Sequence, residues 1–192
     1  MHHHNLPKKQ GLYDPAFEHD ACGMGFVVNI KGVKSHDIID EALTVLENLN
    51  HRGASGADEN TGDGAGILIQ IPHDFLQREC EVLGFSLPEK GSYGVGMIFA
   101  HKYDDFRATQ IETFEDLIEE EGQKVLGWRE VPIDKTNVGD SARAAMPRFI
   151  QVFIEKDPSI TDPMDFERKL YVIRKRAERV LVPTAEEKGG TF

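Results

Sequence analysis

The clearest strand pattern near the start of the chain is Cys22-Gly23-Met24-Gly25-Phe26-Val27-Val28-Asn29-Ile30, which is closed by Lys31-Gly32. Apolar residues alternate in it with small or polar ones, and this is the period of a β-strand. One side of the alternation is apolar and the other is small or apolar, which suits burial on both faces. We therefore expect residues 24–30 to form an interior strand, with Cys22 at the head of its sheet.

Strand and helix patterns alternate along the rest of the chain. Further strands are predicted at residues 67–71, 93–99, 124–132 and 149–154, the first of them flanking the strand at 24–30. Helices are predicted at residues 38–49, 73–83 and 111–118, and from Asp162-Pro163 to a stop at Pro183. Because strands and helices are interleaved, the predicted class is mixed α and β.

Composition limits the possible classes of protein. The 192 residues suffice for one domain, and a net charge of −11 argues against general nucleic-acid binding. No apolar run approaches the roughly 18 residues of a membrane helix. Residues 1–21 read as a polar leader without a signal-type apolar stretch, so a cytoplasmic location is predicted. His2, His3 and His4 in that leader are either native or tag residues.

The chemistry of the chain is expected at Cys22. A nucleophilic cysteine needs a base, and no His, Asp or Glu follows Cys22 closely in its strand. Cleavage between Ala21 and Cys22 would free an α-amino group of pKa about 8, which is suited to that role. The alternative is a buried structural cysteine, the role that we expect for Cys80.

Other patterns do not carry chemistry. The glycines of residues 62–66 precede a predicted strand, whereas phosphate-binding loops follow a strand and open a helix. His51, His73 and His101 occur singly, so each is expected to be solvated or hydrogen-bonded in place. Two cysteines and isolated histidines do not form a zinc motif, and no metal site is predicted.

Three segments together resemble a known family. They are Glu18-His19-Asp20-Ala21-Cys22-Gly23-Met24-Gly25-Phe26, Asn50-His51-Arg52-Gly53-Ala54 and Asn60-Thr61-Gly62-Asp63-Gly64-Ala65-Gly66. In this combination they resemble the start of glutamate synthase large chains, within the class II glutamine amidotransferases. The resemblance implies an α+β fold, the αββα sandwich of N-terminal-nucleophile hydrolases. Residues 22–192 would be its N-terminal part only, incomplete at the C-terminus.

The resemblance also assigns roles to four residues. It makes Cys22 the nucleophile that attacks the side-chain amide of glutamine, with its freed amine as the general base. Arg52 would shape the glutamine pocket, since a guanidinium stabilises a thiolate and donates to carboxylate or carbonyl oxygens. Gly53 and Asp63 would support the loop that carries Arg52.

Cofactors and partners follow only from the resemblance. The resemblance implies FMN and an iron–sulfur cluster in the intact enzyme, with neither group in this chain. It also implies that the partners are further synthase domains and a small reductase subunit. Ammonia from glutamine would aminate 2-oxoglutarate at a second site. The family's Asn-Gly oxyanion pair is absent from these residues, so this chain with its leader attached is expected to be inactive. The alternatives are a purine-pathway or glucosamine-forming amidotransferase, or a non-catalytic domain that keeps the fold.

Overall fold

The computed structural model describes residues 9, 11, 23–49, 58, 60–62 and 64–187. In chain order its elements are α1 (Asp37–Asn48), α2 (His73–Val82), β1 (Tyr93–Ala100), α3 (Asp104–Glu120), β2 (Lys124–Glu130), α4 (Asp140–Ala145), β3 (Arg148–Glu155) and α5 (Pro163–Glu187). The chain divides into two compact units. The first comprises residues 1–56 and 62–68, and the second comprises residues 57–61 and 69–192.

The second unit is built on an antiparallel sheet of three strands in the order β1-β3-β2. Val152 at the middle of β3 lies opposite Gly96 on β1 and Trp128 on β2. A β-bulge between Val125 and Gly127 shifts the register of β2. The central place of β3 explains its strongly apolar sequence, since a strand flanked on both sides and covered on both faces has little contact with water.

Helices cover both faces of this sheet. On one face, α3 and α5 bury a cluster made of Phe114, Leu117, Ile118, Val152, Ile154, Ile173, Ala177 and Leu181. On the other face, α2 and the residues after it bury a second cluster made of Leu76, Cys80, Leu87, Tyr93 and Phe153. Neighbouring residues of β3 alternate between the clusters because successive side chains of a strand point to opposite faces. The helices and antiparallel sheet confirm the predicted α+β class.

The first unit corrects the prediction from which the sequence analysis began. Residues 24–30 form no strand, and Met24, Phe26 and Ile30 are 90%, 89% and 98% exposed. Residues 67–71, of which 69–71 belong to the second unit, likewise form no strand, and Leu68 is fully exposed. The physical reason is that alternation fixes only the side-chain period, whereas a strand also needs a neighbour for its backbone N–H and C=O groups. Within the described residues, neither segment has such a neighbour.

Most of the other predicted elements are confirmed, with three corrections. The helix predicted at residues 111–118 is longer and begins at Asp104, because the apolar spacing marks only its buried part. The helix α5 continues through Pro183 to Glu187, so the predicted stop at that proline is wrong. A proline removes one backbone donor from a helix, and the helix continues here without that hydrogen bond. The short helix α4 was not predicted, because its six residues are too few to show a helical period. No helix among the described residues is long and apolar enough to cross a membrane.

Candidate active site

The four predicted site residues, Cys22, Arg52, Gly53 and Asp63, lie outside the described residues. The structure does describe the segments on either side of them. These are residues 23–49, between Cys22 and the Arg52 segment, and residues 58, 60–62 and 64–71, which follow that segment.

The chain that follows Cys22 contacts helix α1 through Gly25. A Cβ atom at this glycine would lie 2.5 Å from Cγ1 of Val45, so a larger residue here would force Val45 to move. Between these two residues the chain reverses at Asn29, whose Oδ1 accepts the Lys31 N–H at 2.9 Å. Gly32 completes the turn with a φ of +67°, a conformation that glycine adopts without strain.

This contact joins the flanks of two predicted site residues within the first unit. Gly25 is three residues after Cys22, and Val45 is seven residues before Arg52. Helix α1 is amphipathic with half-buried apolar residues and no fully buried one, and it ends at Asn48, just before the Arg52 segment. The segment that follows Cys22 in sequence therefore lies against the helix that precedes the Arg52 segment.

Downstream of Arg52, the chain is fixed by the half-buried Asp58. Its Oδ1 accepts the Thr61 hydroxyl at 2.5 Å, and its Oδ2 accepts the backbone N–H of Ser141, at the start of α4, at 3.2 Å. Hydrogen bonds from the Thr61 side chain, then the Ser141 side chain and then the Ser141 backbone N–H lower the pKa of Asp58 below its ordinary value. Sequence reasoning did not select Asp58, and its prediction for Asp63 falls outside the described residues. The Asp-x-x-Thr pattern of residues 58–61 was the available signal.

Cys80 is buried and makes a poor nucleophile, as predicted. Its side chain is 0% exposed in the cluster under α2, and burial raises the pKa of its thiol to about 11. Little thiolate therefore exists at neutral pH, and the thiolate is the reactive form. Because the chain has only two cysteines, any thiol chemistry near neutral pH falls to Cys22.

Two of the three single histidines are engaged in local contacts. His73 Nδ1 lies 2.9 Å from the Tyr93 hydroxyl, and the Nδ1 atom of the buried His101 accepts the backbone N–H of Tyr103 at 3.1 Å. These two match the prediction of imidazoles that are satisfied in place, whereas His51 lies outside the described residues. In the part of the chain that the structure describes, no three His, Cys, Asp or Glu side chains form a group suited to a metal ion.

Comparison with known proteins gives a consistent result. The family profile of class II glutamine amidotransferases matches residues 22–190. The chain is 49% identical to the glutamate synthase [NADPH] large chain of Bacillus subtilis over 178 residues, covering 93% of this chain and 12% of that relative. It is 43% identical to the glutamate synthase [NADH] of Saccharomyces cerevisiae, covering 90% of this chain and 8% of that relative. It is 41% identical to ferredoxin-dependent glutamate synthase 1 of Arabidopsis thaliana, covering 96% of this chain and 11% of that relative.

The chain belongs to the class II glutamine amidotransferase family. This membership confirms the fold class predicted from the sequence, an α+β domain of the N-terminal-nucleophile hydrolase type. The chain spans about a tenth of the length of these three relatives.

Proposed function

We propose that this chain forms part of the glutamine-hydrolysing domain of a glutamate synthase. The observation that carries the proposal is the family match, which begins at Cys22, the residue that sequence reasoning selected as the nucleophile. The three relatives named above are glutamate synthases, and this favours that enzyme over purine-pathway or glucosamine-forming amidotransferases. The high pKa of the Cys80 thiol adds independent support, because it removes the other cysteine from consideration.

In the proposed reaction, Cys22 is the nucleophile and its own α-amino group is the base. The thiol proton moves to the amine while Sγ bonds to the side-chain amide carbon of glutamine. The C–N bond then breaks, and the proton returns to the nitrogen, which leaves as ammonia. Water adds to the remaining thioester, the C–S bond breaks, and glutamate and the free thiol are formed. A base on the nucleophile's own residue needs no separate element to position it.

Arg52 is proposed to hold the substrate in this site. A guanidinium offers a planar set of donors that matches a carboxylate, and its positive charge stabilises a nearby thiolate. Gly53 and Asp63 are proposed to support the loop that carries it. The contact of Gly25 with Val45 supports the placement of Arg52 near Cys22, because it draws together the two segments that lead to these residues.

The base exists only when Cys22 is the first residue. In an intact peptide bond the nitrogen of Cys22 is an amide, which has no basic lone pair at neutral pH. We therefore propose that residues 1–21 are a leader that is removed, and that the amidotransferase domain starts at Cys22. The start of the family match at residue 22 supports this boundary.

The ammonia is proposed to pass to a second site, where 2-oxoglutarate is reductively aminated, in a protein of the relatives' length. FMN would supply hydride chemistry there, and an iron–sulfur cluster would supply single electrons. The residues of this chain do not fit the cluster, since such clusters commonly use four cysteine thiolates and the chain has two cysteines, one of them buried. We propose both groups, and a small reductase subunit, for parts of the protein beyond this chain.

The cytoplasm is the proposed location of the protein. A reducing compartment keeps thiols free, and free thiols are what the proposed chemistry of Cys22 requires. The relative from Arabidopsis is named as chloroplastic or mitochondrial, so the compartment differs within the family.

The proposal is tested with a protein of the relatives' length that begins at Cys22. Glutamate release from glutamine is measured for the parent protein and for the Cys22→Ser and Cys80→Ser variants. We expect Cys22→Ser to abolish hydrolysis with the fold retained, and Cys80→Ser to leave it within about threefold, since Cys80 takes no part in the chemistry. Near-normal turnover by Cys22→Ser, or loss of activity only in Cys80→Ser, would overturn the assignment.

A further inference from the structure

Helices α3 and α5 pack side by side against the same face of the sheet, and both belong to the second compact unit. Glu121, just after α3, accepts hydrogen bonds from Lys169 and Arg176 of α5 at 3.0 and 2.8 Å. These contacts hold the two helices together, while the side of each helix that points away from the sheet is exposed. The charges on the two exposed sides are opposite in sign.

The exposed side of α3 is acidic, and we name it the α3 acidic face. It consists of Asp105, Glu112, Asp116 and Glu119, which recur at the spacing of one side of a helix and are all exposed. Among the described residues, none of these carboxylates forms an ion pair. Like charges three and four positions apart destabilise a helix. The α3 acidic face therefore lowers the stability of its helix until cations meet it.

The exposed side of α5 is basic and partly apolar, and we name it the α5 basic face. It consists of Met164, Arg168, Tyr171, Val172, Lys175 and Arg179. Met164 and Tyr171 are 55% and 57% exposed. Arg168 and Lys175 pair with carboxylates of their own helix, and exposed pairs of this kind contribute little and are easily exchanged. Met, Tyr and Arg are residue types that are enriched where proteins meet.

We propose that the α5 basic face docks on the α3 acidic face of a second copy of this chain. Because the two helices are neighbours in one layer, a two-fold axis that runs between them along the layer sets α3 of each copy against α5 of the other. The same contact is then made twice, which is the self-complementary arrangement of a two-fold dimer. The charges favour this occupant, since a second copy supplies the carboxylates, whereas a net charge of −11 opposes binding of a nucleic acid.

The contact draws on two physical effects. Cations of α5 meet carboxylates that lack ion pairs among the described residues, and Met164 and Tyr171 are removed from water. Opposite charges also steer the two copies together, and salt screens this attraction. Association of the copies should therefore weaken as the salt concentration rises.

Carbodiimide cross-linking tests the contact in the protein of the relatives' length, because it joins a lysine to a carboxylate that lies against it. A mixture of isotope-labelled and unlabelled protein distinguishes links between copies from links within one copy. We expect mixed-isotope peptides that join Lys175 to Glu112 or Asp116. The link from Lys169 to Glu121 within one copy is the internal standard, since these side chains lie 3.0 Å apart. If that standard forms and Lys175 gives no mixed-isotope link, the proposal is overturned.

Charge reversal tests whether the two faces recognise each other. Arg168→Glu with Arg179→Glu keeps Lys175 as the reporter and should lower the yield of links between copies about tenfold, because like charges then oppose each other. Mixing this variant with a second one, Glu112→Lys with Asp116→Lys, brings opposite charges together again in both contacts. The mixture should restore links from Lys175 of the second variant to the α3 acidic face of the first. A yield that stays low in the mixture contradicts the proposed pairing.

Arg78→Glu with Lys90→Glu is the matched control, because it changes the net charge as much as Arg168→Glu with Arg179→Glu does. Both control residues are exposed, and they lie on α2 and in the loop after it, outside the two faces. The control should link as the parent does, and an equal loss in it would overturn the proposal in favour of a general effect of net charge. If Arg168→Glu with Arg179→Glu does not fold, Arg168→Gln with Arg179→Gln decides the question with an expected loss of about threefold.

Discussion

The Arg129 guanidinium on β2 lies 2.7 Å from the Glu79 carboxylate on α2, and it fixes the helix to one face of the sheet. The Arg129 side chain is 8% exposed and the Glu79 side chain 39%. Arg129 also donates to Gln151 Oε1 at 3.1 Å and lies over the Phe75 ring at 5.5 Å. A cation so well enclosed depends on its partner, because few water molecules can replace a lost carboxylate.

Glu79→Ala is expected to destabilise the protein by about 2 kcal/mol, because it leaves the Arg129 charge enclosed without its anion. The value lies between the roughly 0.5 kcal/mol of an exposed ion pair and the 3–5 kcal/mol of a buried one. Glu130→Ala is the control, since the Glu130–Arg148 pair is 65% and 42% exposed and should matter little. Urea unfolding measures both variants, and equal losses would contradict the prediction.

Gly127→Ala is expected to destabilise the protein by about 1–3 kcal/mol through overpacking. A Cβ atom at position 127 would lie 2.7 Å from two ring carbons of Phe85, and an aromatic ring yields less readily than a flexible chain end. Gly66→Ala is the control, since nothing lies within 4 Å of a Cβ atom there. Phe85→Leu should reduce the penalty of Gly127→Ala in a double-mutant cycle, and strictly additive effects would argue against this contact.

Glu121 is expected to contribute stability that depends on pH. Hydrogen bonds from Lys169 and then Arg176 lower its pKa below the ordinary value of 4.5. A depressed carboxyl pKa gives stability that is fully present above the unfolded value and is lost as pH falls through the folded one. Glu121→Gln should therefore lower the free energy of unfolding by about 1 kcal/mol at pH 7, a modest value because the cations are partly exposed.

Acid unfolding curves of parent and Glu121→Gln measure this effect. The difference between the two proteins should shrink as pH falls below about 4.5, where the unfolded carboxyl becomes protonated. Glu112→Gln, on the exposed side of α3, should show no such trend. A difference that stays constant from pH 7 to pH 3 would show that Glu121 acts through packing.

The two cysteines are expected to differ sharply in reactivity. With a pKa of about 11, the Cys80 thiol is about one-thousandth ionised at pH 8, and its side chain is fully buried. Iodoacetamide should therefore modify Cys22 well before Cys80 in the folded chain, and both at similar rates in denaturant. Mass spectrometry of peptides locates the label. Rapid labelling of Cys80 under native conditions would contradict the burial described here.

The 192-residue chain with Met1 retained is expected not to hydrolyse glutamine. The Cys22 nitrogen is then an amide, and loss of a general base alone slows such reactions by about a hundredfold to ten-thousandfold. A chain that starts at Cys22 restores the base but contains no Asn-Gly pair, and a missing oxyanion donor costs about a hundredfold or more. A glutaminase assay on both chains, with their masses confirmed, checks this. Turnover by the Met1 chain at an ordinary enzyme rate would show that the base is misplaced.

Most helices and strands of this protein could be predicted from the sequence, because they depend on the spacing of apolar residues within each segment. Helices α1, α2, α3 and α5 follow from the spacing of their apolar residues, and α5 begins at Pro163 as expected. The strands β1, β2 and β3 were found at nearly their observed positions for the same reason. The interpretation of Cys22 as nucleophile came from its neighbours in sequence and from motif resemblance, and the family match begins at that residue.

Tertiary structure decided what depends on partners distant in sequence. The apolar patterns of residues 24–30 and of β3 both predicted a strand. Among the described residues, however, β3 has a strand on each side, whereas residues 24–30 have none and their side chains are mostly exposed. The burial of Cys80, which raises the pKa of its thiol, depends on residues from β1 and β3. The pairing of Asp58 with Ser141 spans 83 positions, so no local pattern indicates it. Periodicity indicates which side of a segment is apolar. The groups that pack against that side come from distant parts of the sequence and are brought there only by folding.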